Sequence, residues 1–371
     1  MSAVITALKA ECPNARIRFW TDFKFYSSAC QKIRSENKRL RISRICAGKF
    51  RRYSGFTFID YLQNPTTIPK NIADGFLVVF GFFQCLFKLI IWRPNVIFLK
   101  GGYVCLPIGL AARALRIPYV LHDSDAAPGL TNRILSKRAV KIATGMPVDN
   151  YNYPPDKAVY VGIPIAAAYC PVSKKRQKKL KTSFGFDKDK PLVVATGGGL
   201  GAQRINSAIV ASLKELLPLT SIALISGKDG YDETSHALRE TDIDRDSFKL
   251  YDFLASGMSD LLSAADIVVT RAGATSMAEL ASLSRAVILV PNSRLPGHHQ
   301  VKNAQAMEKA NAVLVVDDDQ LESHPELIQN AVKEILNDSM LKLRLEANIS
   351  QFSRPNAASD VARIILSAVK R

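Results

Sequence analysis

A chain of 371 residues is longer than one hydrophobic core usually organises, so its length predicts two domains. Hydrophobic residues make up 47% of the chain and charged residues 22%, which excludes a disordered polymer and predicts folded cores. The formal net charge of +17 indicates an acidic partner. Nucleic acid, anionic lipid and phosphorylated small molecules all satisfy that requirement, and charge alone does not choose among them.

Two further features concern the compartment. The six cysteines are scattered without a C-x-x-C pair, which favours reduced thiols in a cytosol over disulfides or a zinc site. The first residues show no charged segment followed by an apolar core, so we expect no signal directing export.

Short β-rich runs alternate with helical stretches along the whole chain, which is typical of an α/β protein with parallel sheets. The predicted strands are 16–21, 95–99, 119–122, 141–144 and 158–161, then 192–196, 221–226, 265–270, 286–290 and 312–316. We therefore predict an N-terminal domain at 1–164, a linker at 165–190, a second domain at 191–352 and a C-terminal helix at 353–371 that crosses back. The basic run at 174–181 is interpreted as a solvated helix face or linker in preference to a phosphate site.

In doubly wound sheets ligands lie beyond the carboxyl ends of the strands, so the strand-to-helix turns carry the functional predictions. In the first domain, Gly101, Gly102 and Tyr103 follow a strand, and this turn allows a phosphate to approach the backbone. The next strand ends at His122, followed by Asp123 and Asp125. These side chains suit acid-base work, although a structural role is the preferred interpretation for His122.

The second domain opens with a strand, a run of glycines and a helical pattern from Gln203. Backbone N–H groups in such a turn can approach a diphosphate, and the helix dipole favours its charge. The alternative is a tight turn with close strand-helix packing, since the spacing is not a clean G-x-G-x-x-G. The glycines of this turn are Gly197, Gly198, Gly199 and Gly201.

A second turn of this domain follows the strand 265–270 and begins at Arg271. Small residues and hydroxyls at a helix start suit a phosphate, and Glu279 can accept two hydrogen bonds from a ribose diol. The alternative makes Ser276 a helix N-cap with Glu279 as its capping-box partner. The ligand-binding candidates here are Arg271, Ala274, Thr275, Ser276, Met277, Ala278 and Glu279.

A third turn contains His298, His299, Gln300 and Asn303. Adjacent histidines suggest a metal site, but neither an i,i+4 histidine pair nor a carboxylate at ligand spacing accompanies them. We therefore predict that these side chains form hydrogen bonds with a sugar, and that the protein needs neither a metal nor another cofactor.

The most apolar stretch of the chain is 75–92. Its length is borderline for a membrane-spanning helix, and Gln84 and Lys88 interrupt it. A core helix on the sheet is the ordinary alternative, but an interfacial helix backed by the basic residues between 32 and 52 explains the excess aromatic surface best. The predicted membrane-contacting side chains are Phe76, Phe80, Phe82, Phe83, Phe87 and Trp92.

Taken in order, these turns resemble the MurG family of N-acetylglucosaminyltransferases over nearly the whole chain. The segment from Gly101 to Tyr103 is similar to the family's second glycine loop, and Gly197 to Gly201 to its third loop. The segments Arg271–Glu279 and His299–Asn303 resemble its nucleotide-sugar site.

The resemblance implies a GT-B fold, with two facing Rossmann-like domains, and an inverting transfer of N-acetylglucosamine from UDP-N-acetylglucosamine to undecaprenyl-diphosphate-linked MurNAc-pentapeptide. It implies roles in peptidoglycan synthesis, cell shape and cell division, and a peripheral position on the cytoplasmic side of the cell membrane. Phe253 and Leu254 would border the uracil, Glu279 would hold the ribose, and Gln300 the sugar. Asp125 would lie on the donor side, and the glycine loop at Gly101 on the acceptor side. The expected partners are this donor, the lipid-linked acceptor and an anionic membrane surface, without nucleic acid.

The chain also departs from the family pattern. It has Asp123-Ser124-Asp125 where the family has Glu-Gln-Asn, Gly199 where serine is common, and Ala166 where arginine is frequent. The family also begins with an earlier strand and glycine loop, whose histidine is considered its catalytic base. From Met1 this sequence enters a helix-like run at 4–10, so we expect impaired catalysis, with Asp123 and Asp125 as the candidates for a base.

Two other functions compete with this one. A glycolipid synthase of the same superfamily would use diacylglycerol as the acceptor. A non-catalytic partner would bind the sugar nucleotide and require a second chain for catalysis.

Overall fold

The computed structural model describes residues 1–27, 29–30, 33, 40–49, 67–197, 202–239, 243–244, 246–254, 256–295 and 298–369. The chain divides into two compact units, one formed by Met1–Ala166 with Arg354–Arg371 and the other by Ala167–Ser353. Each unit consists of parallel strands alternating with helices.

The first unit contains strands β1 to β6 and helices α1 to α4, and the last helix of the chain belongs to it. Its strands are β1 Arg18–Thr21, β2 Arg41–Arg44, β3 Ile97–Leu99, β4 Tyr119–Asp123, β5 Lys141–Thr144 and β6 Ala158–Tyr160. Its helices are α1 Ser2–Glu11, α2 Thr67–Ile91, α3 Cys105–Ala114 and α4 Leu130–Leu135.

The strands of this unit form two parallel sheets. One has the order β3-β4-β5-β6 and the other pairs β1 with β2; among the described residues no ladder joins β1 to β3. Helix α1 packs on both sheets, since Val4 lies in a cluster with Val120 and Ile5 lies in a cluster with Ile42. The two buried residues of α1 therefore join the helix to both sheets.

The second unit contains strands β7 to β12 and helices α5 to α12. Its strands are β7 Leu192–Thr196, β8 Ser221–Ile225, β9 Phe248–Tyr251, β10 Ile267–Thr270, β11 Ala286–Leu289 and β12 Leu314–Val315. Its helices are α5 Lys174–Ser183, α6 Gln203–Leu216, α7 Tyr231–Arg239, α8 Met258–Ala264, α9 Ala274–Leu283, α10 His299–Glu308, α11 Glu326–Asn337 and α12 Ser339–Ser350; the last helix of the chain, α13, is Ala357–Ser367.

This sheet is parallel throughout, with the order β12-β11-β10-β7-β8-β9. Strands β7, β8 and β9 extend in one direction from the centre, and β10, β11 and β12 extend in the other. The direction in which successive strands are added to the sheet thus reverses between β7 and β10. Such a switch point opens a crevice at the carboxyl ends of the strands. Both faces are covered, because all five residues of β7 and of β8 are buried although successive side chains point to opposite faces.

The segment predicted as a linker, 165–190, is instead largely part of the second unit. Helix α5 begins at the N-cap Ser173, whose hydroxyl accepts a hydrogen bond from the Arg176 amide. The Lys181 ammonium lies 2.6 Å from Asp266, and Gln177 donates to the carbonyl of Ala265 at 2.9 Å. The basic run is therefore anchored on its inner side, while Arg176 and the other lysines of the run are exposed.

The predicted strands all recur with boundaries shifted by a few residues, but two strands were missed. Strand β2 reads Arg-Ile-Ser-Arg, with one apolar residue, and β9 reads Phe-Lys-Leu-Tyr, which alternates over only four positions. A period of two over such a short run is a weak signal, because it occurs equally in loops.

We expect Asp266→Asn to lower the free energy of unfolding by about 3 kcal/mol at pH 7, because it leaves the buried Lys181 ammonium without its counter-charge. Burial alone would raise the pKa of Asp266, but Lys342, Lys181 and the Leu192 amide outweigh burial and lower it. The stability from this group is therefore present above the unfolded pKa and is lost as pH falls through the folded pKa. Denaturant unfolding should show the gap between wild type and variant closing below about pH 4.

Asp260→Asn is the matched control, because Asp260 lies 3.9 Å from Arg176 and both side chains are more than half exposed. It should leave the unfolding midpoint nearly unchanged. An equal loss in both variants would contradict the assignment of Asp266 as the anchor.

Candidate functional site

The glycine turn and the Arg271 turn meet at the switch point of the second sheet. Thr196 and Thr270 are register partners at the ends of β7 and β10, so Gly197 and Arg271 follow paired strand ends. Gly197 is buried; Gly198, Gly199 and Gly201 lie outside the described residues. The sequence predicted both turns separately, and the sheet order makes them neighbours.

The N-terminus of α9 is open toward this crevice. Its N-cap is Gly273 and no side chain caps it, so the expected alternative, with Ser276 as N-cap and Glu279 as capping-box partner, is wrong. Thr275 is exposed, Ser276, Ala278 and Glu279 are half-buried, and Ala274 and Met277 pack inward. Free N–H groups in a first helical turn bind anions. There is open space beside Gly273, where an added Cβ would meet nothing closer than 3.8 Å.

Glu279 has a partner that sequence reasoning missed. The Tyr169 hydroxyl, from the segment before α5, donates a hydrogen bond to the Glu279 carboxylate. Burial, followed by the charge and hydrogen bond of Glu279, raises the pKa of Tyr169, so the phenol remains a neutral donor. The Glu279 carboxylate thus already accepts a hydrogen bond from a hydroxyl group of the protein.

Arg271 is held by the protein. Its guanidinium donates to the Val290 carbonyl at 3.1 Å and lies 2.5 Å from the Asp318 carboxylate, whose side chain is 3% exposed. Arg204 at the start of α6 contacts Asp318 at 3.0 Å and Asp319 at 2.9 Å. This network fixes the turns after β7, β10 and β11 to one another, and Asp318 has no sequence motif that would have revealed its role.

The third turn is also built on internal hydrogen bonds. The Asn303 amide is buried and donates to the Ala272 carbonyl at 3.1 Å, while the Gln300 side-chain oxygen accepts from the Asn292 amide at 2.9 Å. His298 has φ 49° and His299, which is half-buried, begins α10. Within the described residues no group of three His, Cys, Asp or Glu side chains is placed to hold a metal ion.

Phe253 is an exposed aromatic side chain at the edge of this unit. It follows β9, is 48% exposed, and has the Lys228 ammonium 5.6 Å from its ring. Leu254 beside it is half-buried. A flat apolar ring with a cation nearby suits a planar, anionic ligand.

In the first unit, the turn after β3 is the corresponding feature. Gly101 and Gly102 have φ of 71° and 81°, which favours glycine, and Gly102 is exposed with open space beside it. A Cβ on Gly101 would lie 3.0 Å from the Asn132 amide, which in turn donates to the His122 carbonyl. Tyr103 donates its hydroxyl to Asp22, the residue that follows β1.

His122 is structural, as expected. It is completely buried; its Nε2 lies 2.9 Å from the Gly162 carbonyl and its Nδ1 3.2 Å from the Ser124 hydroxyl. Burial lowers the pKa of His122 to about 3, so the ring stays neutral.

The two carboxylates after His122 differ in exposure. Asp123 is buried and accepts a hydrogen bond from the Tyr153 hydroxyl at 2.7 Å. Burial raises its pKa to about 6 against the effect of that hydrogen bond. Asp125 is half-buried, and its carbonyl accepts from the Tyr151 hydroxyl at 2.6 Å. Of the two candidate bases, Asp125 is therefore nearer to solvent.

Helix α2 packs on the protein through its polar side. Asp74 accepts from the Lys49 amide at 3.1 Å, Gln84 from the Cys46 amide at 2.8 Å, and Lys88 donates to the Arg44 carbonyl at 2.6 Å. Gly81 belongs to the same side, where a Cβ would lie 2.0 Å from the carbonyl oxygen of Cys46. Gln84 and Lys88, which interrupt the apolar stretch in the sequence, thus lie on the inner side of the helix together with the buried Cys85 and Leu89.

The apolar side of α2 faces outward. Exposure reaches 73% for Phe76 and 65% for Phe87. The other exposed apolar side chains of the helix are Ile72, Leu77, Val79, Phe80, Phe83, Ile90 and Ile91. Two of the predicted contacts are less exposed: Phe82 is half-buried beside Phe83, and Trp92 is half-buried under the Arg18 guanidinium. By length and composition alone, Asn71–Ile91 is the one described segment able to cross a membrane.

Comparison with known proteins shows which family this chain is similar to. Residues 28–144 match the glycosyltransferase family 28 N-terminal domain, and residues 192–361 match the family's C-terminal domain. A UDP-N-acetylglucosamine–N-acetylmuramyl-(pentapeptide) pyrophosphoryl-undecaprenol N-acetylglucosamine transferase of Clostridium kluyveri is 32% identical over 81% of this chain and 78% of its own. The protein of that name from Caldicellulosiruptor saccharolyticus is 31% identical over 82% of each chain.

Solved structures show the same fold. MurG of Acinetobacter baumannii matches 99% of this chain and 95% of its own, with a TM-score of 0.72 and 21% identity. The calicheamicin glycosyltransferase CalG4 matches 100% of this chain and 95% of its own, with a TM-score of 0.65 and 13% identity. The predicted GT-B fold, built from Rossmann-like domains, is confirmed.

Because a relative more than 30% identical matches most of its length to this chain, the resemblance inferred from the glycine turns is confirmed. The chain belongs to the UDP-N-acetylglucosamine–N-acetylmuramyl-(pentapeptide) pyrophosphoryl-undecaprenol N-acetylglucosamine transferases of glycosyltransferase family 28.

Proposed function

We propose that this chain transfers N-acetylglucosamine from UDP-N-acetylglucosamine to an N-acetylmuramyl-pentapeptide carried on undecaprenyl diphosphate. The observation that carries this proposal is the switch point of the second unit, where the Gly197 turn and the open N-terminus of α9 adjoin. The names of the curated relatives supply the donor and the acceptor.

The second unit offers each part of a nucleotide-sugar site. The α9 N–H groups suit the diphosphate, Glu279 suits the ribose diol, and Phe253 suits the uracil ring. Arg271 supports this site indirectly, by holding the turn through Asp318. The Tyr169 hydroxyl has to leave Glu279, or share it, when a ribose binds.

The transfer forms one bond and breaks another at the anomeric carbon. An acceptor hydroxyl oxygen attacks that carbon, the bond to the UDP oxygen breaks with its electron pair, and a base takes the hydroxyl proton. Donors at the α9 N-terminus would stabilise the charge on the departing diphosphate. Asp125 is the preferred candidate base, because it is less buried than Asp123.

The acceptor would be met at the cytoplasmic face of the membrane through α2. The polar side of this helix is hydrogen-bonded to the protein along its length, at Asp74, Gln84 and Lys88. A helix tied down in this way lies along the protein, which favours an interfacial position over a span. The net charge of +17 supports attraction to anionic lipid.

Glu279→Ala should weaken UDP binding by about 1–3 kcal/mol, because it removes charged hydrogen bonds to the ribose. Calorimetry with 2′-deoxy-UDP should show a smaller loss, since one of those bonds is absent from the start. Glu308→Ala, an exposed residue on α10, should leave both affinities unchanged. Unaltered UDP affinity in Glu279→Ala would remove Glu279 from the ribose site.

Asp123→Asn should retain turnover and gain stability relative to the wild type as pH rises to 7.5, because asparagine removes a desolvated charge, although its NH2 group then lies among the donors Tyr153, Asn132 and Gly129. The wild-type carboxyl has a folded pKa near 6, above its usual value, so its stabilising protonated form is lost as pH rises through 6. The advantage of the variant should therefore shrink as pH falls from 7 to 4, as measured by denaturant unfolding. A 100-fold loss of kcat, on the order expected for a general base, would instead identify Asp123 as the base.

Phe83→Asp with Phe87→Asp should abolish flotation with anionic vesicles, because both rings are exposed on α2 and each contributes about 1.5–3 kcal/mol when buried. High salt should weaken flotation of the wild type. Leu343→Asp, an equally exposed position on α12, is the control and should float normally. A wild-type chain that stays at the bottom of the gradient would refute membrane binding, and resistance to carbonate extraction would indicate a span.

A further inference from the structure

Asp22 occupies the position in a parallel sheet where functional side chains collect. It is the first residue after β1, at the carboxyl end of the strand, and is only 6% exposed. Its Oδ1 accepts a hydrogen bond from the Phe25 amide at 2.9 Å, and its Oδ2 accepts one from the Tyr103 hydroxyl. Both oxygens of one buried carboxylate are therefore engaged by different segments.

The hydrogen bond to Tyr103 links two separate sheets. β1 pairs with β2, whereas Tyr103 follows β3 of the four-stranded sheet, and no ladder connects β1 to β3 in the part of the chain that the structure describes. The pKa of Tyr103 is raised, first by burial, then by the hydrogen bond to Asp22 and the charge of Asp22, and last by the charge of Asp74. The phenol is thus a permanent donor to Asp22 at physiological pH.

The turn that Asp22 closes exposes two aromatic rings. Phe23 is 59% and Phe25 49% exposed, with the Arg44 guanidinium 5.8 Å from the Phe23 ring and the Lys24 ammonium 6.0 Å from the Phe25 ring. The carbonyl of Arg44 also accepts a hydrogen bond from Lys88 of α2. Exposed rings flanked by cations, and joined to the apolar helix, suit an anionic head group with an apolar chain.

We propose that Asp22 is a positioning residue of the acceptor site, which holds the Tyr103 phenol at the glycine turn and the Phe23–Phe25 turn in one fixed relation. This inference rests on the proposed function, since it takes the acceptor to be a diphosphate carrying an apolar chain. The exposed backbone at Gly102 then meets the diphosphate, and the two phenylalanine rings meet the first part of the chain.

The test compares Asp22→Asn, Tyr103→Phe and the double variant by calorimetry with farnesyl diphosphate and, separately, with UDP. Asparagine keeps an oxygen that accepts from the Phe25 amide, but it replaces the charged oxygen that accepts from Tyr103 with an NH2 group, so the charge-assisted hydrogen bond is lost. Each single variant should weaken farnesyl diphosphate binding about tenfold, and the double variant about as much as one single variant, because both remove the same link. UDP affinity should not change. Asp156→Asn, exposed in the same unit, is the control.

Kinetics with the lipid-linked acceptor provide the second readout. The KM for the acceptor should rise about tenfold in each single variant, while the KM for UDP-N-acetylglucosamine stays constant. Three results would each overturn the inference. The first is a double variant whose loss of affinity is the product of the two single losses, and the second is an equal loss of affinity for both ligands with a lowered unfolding midpoint. The third is a wild type that does not bind farnesyl diphosphate. If the two variants show this non-additive effect on binding but the wild type transfers no sugar, only the proposed function would be contradicted.

Discussion

Parallel strands constrain everything else in this protein, because their crossovers place helices on both faces and bring all carboxyl ends to one edge of each sheet. In the second unit that edge carries the Gly197 turn, the α9 N-terminus and the turn after β11. Register pairing of Thr196 with Thr270 makes the first two neighbours. In the first unit the turns after β1 and β3 belong to separate sheets, and the hydrogen bond from Tyr103 to Asp22 joins them.

Buried ion pairs hold these turns in place. Asp266 ties α5 and α12 to the start of β7 through Lys181, Lys342 and the Leu192 amide, and Asp318 ties Arg204 to Arg271. Such buried pairs contribute little net stability, yet removing one partner is costly, so they specify geometry. The nucleotide site proposed here depends on that geometry, because its contacts are mostly backbone groups.

Helix α2 buries a narrow side that includes Asp74, Val78, Cys85 and Leu89, and it exposes apolar residues on the other side. Its polar side chains form hydrogen bonds with the segment 44–49. Aromatic side chains of the kind that ordinarily fill a core are exposed to solvent. Exposed apolar area of this extent is unfavourable in water and becomes favourable at a lipid surface. The turn held by Asp22 adds two further exposed rings to the same unit.

The amino-acid sequence by itself determined the strand runs, the glycine turns, the family and the amphipathic character of α2, because each depends on residues close together in the chain. The tertiary structure alone decided the pairs Tyr103–Asp22, Arg271–Asp318 and Tyr169–Glu279. It also decided that α5 belongs to the second unit and that Ser276 does not cap α9. The first of these pairs spans 81 positions and the second 47. Contacts at such separations follow from strand order and crossover packing, which local periodicity does not encode.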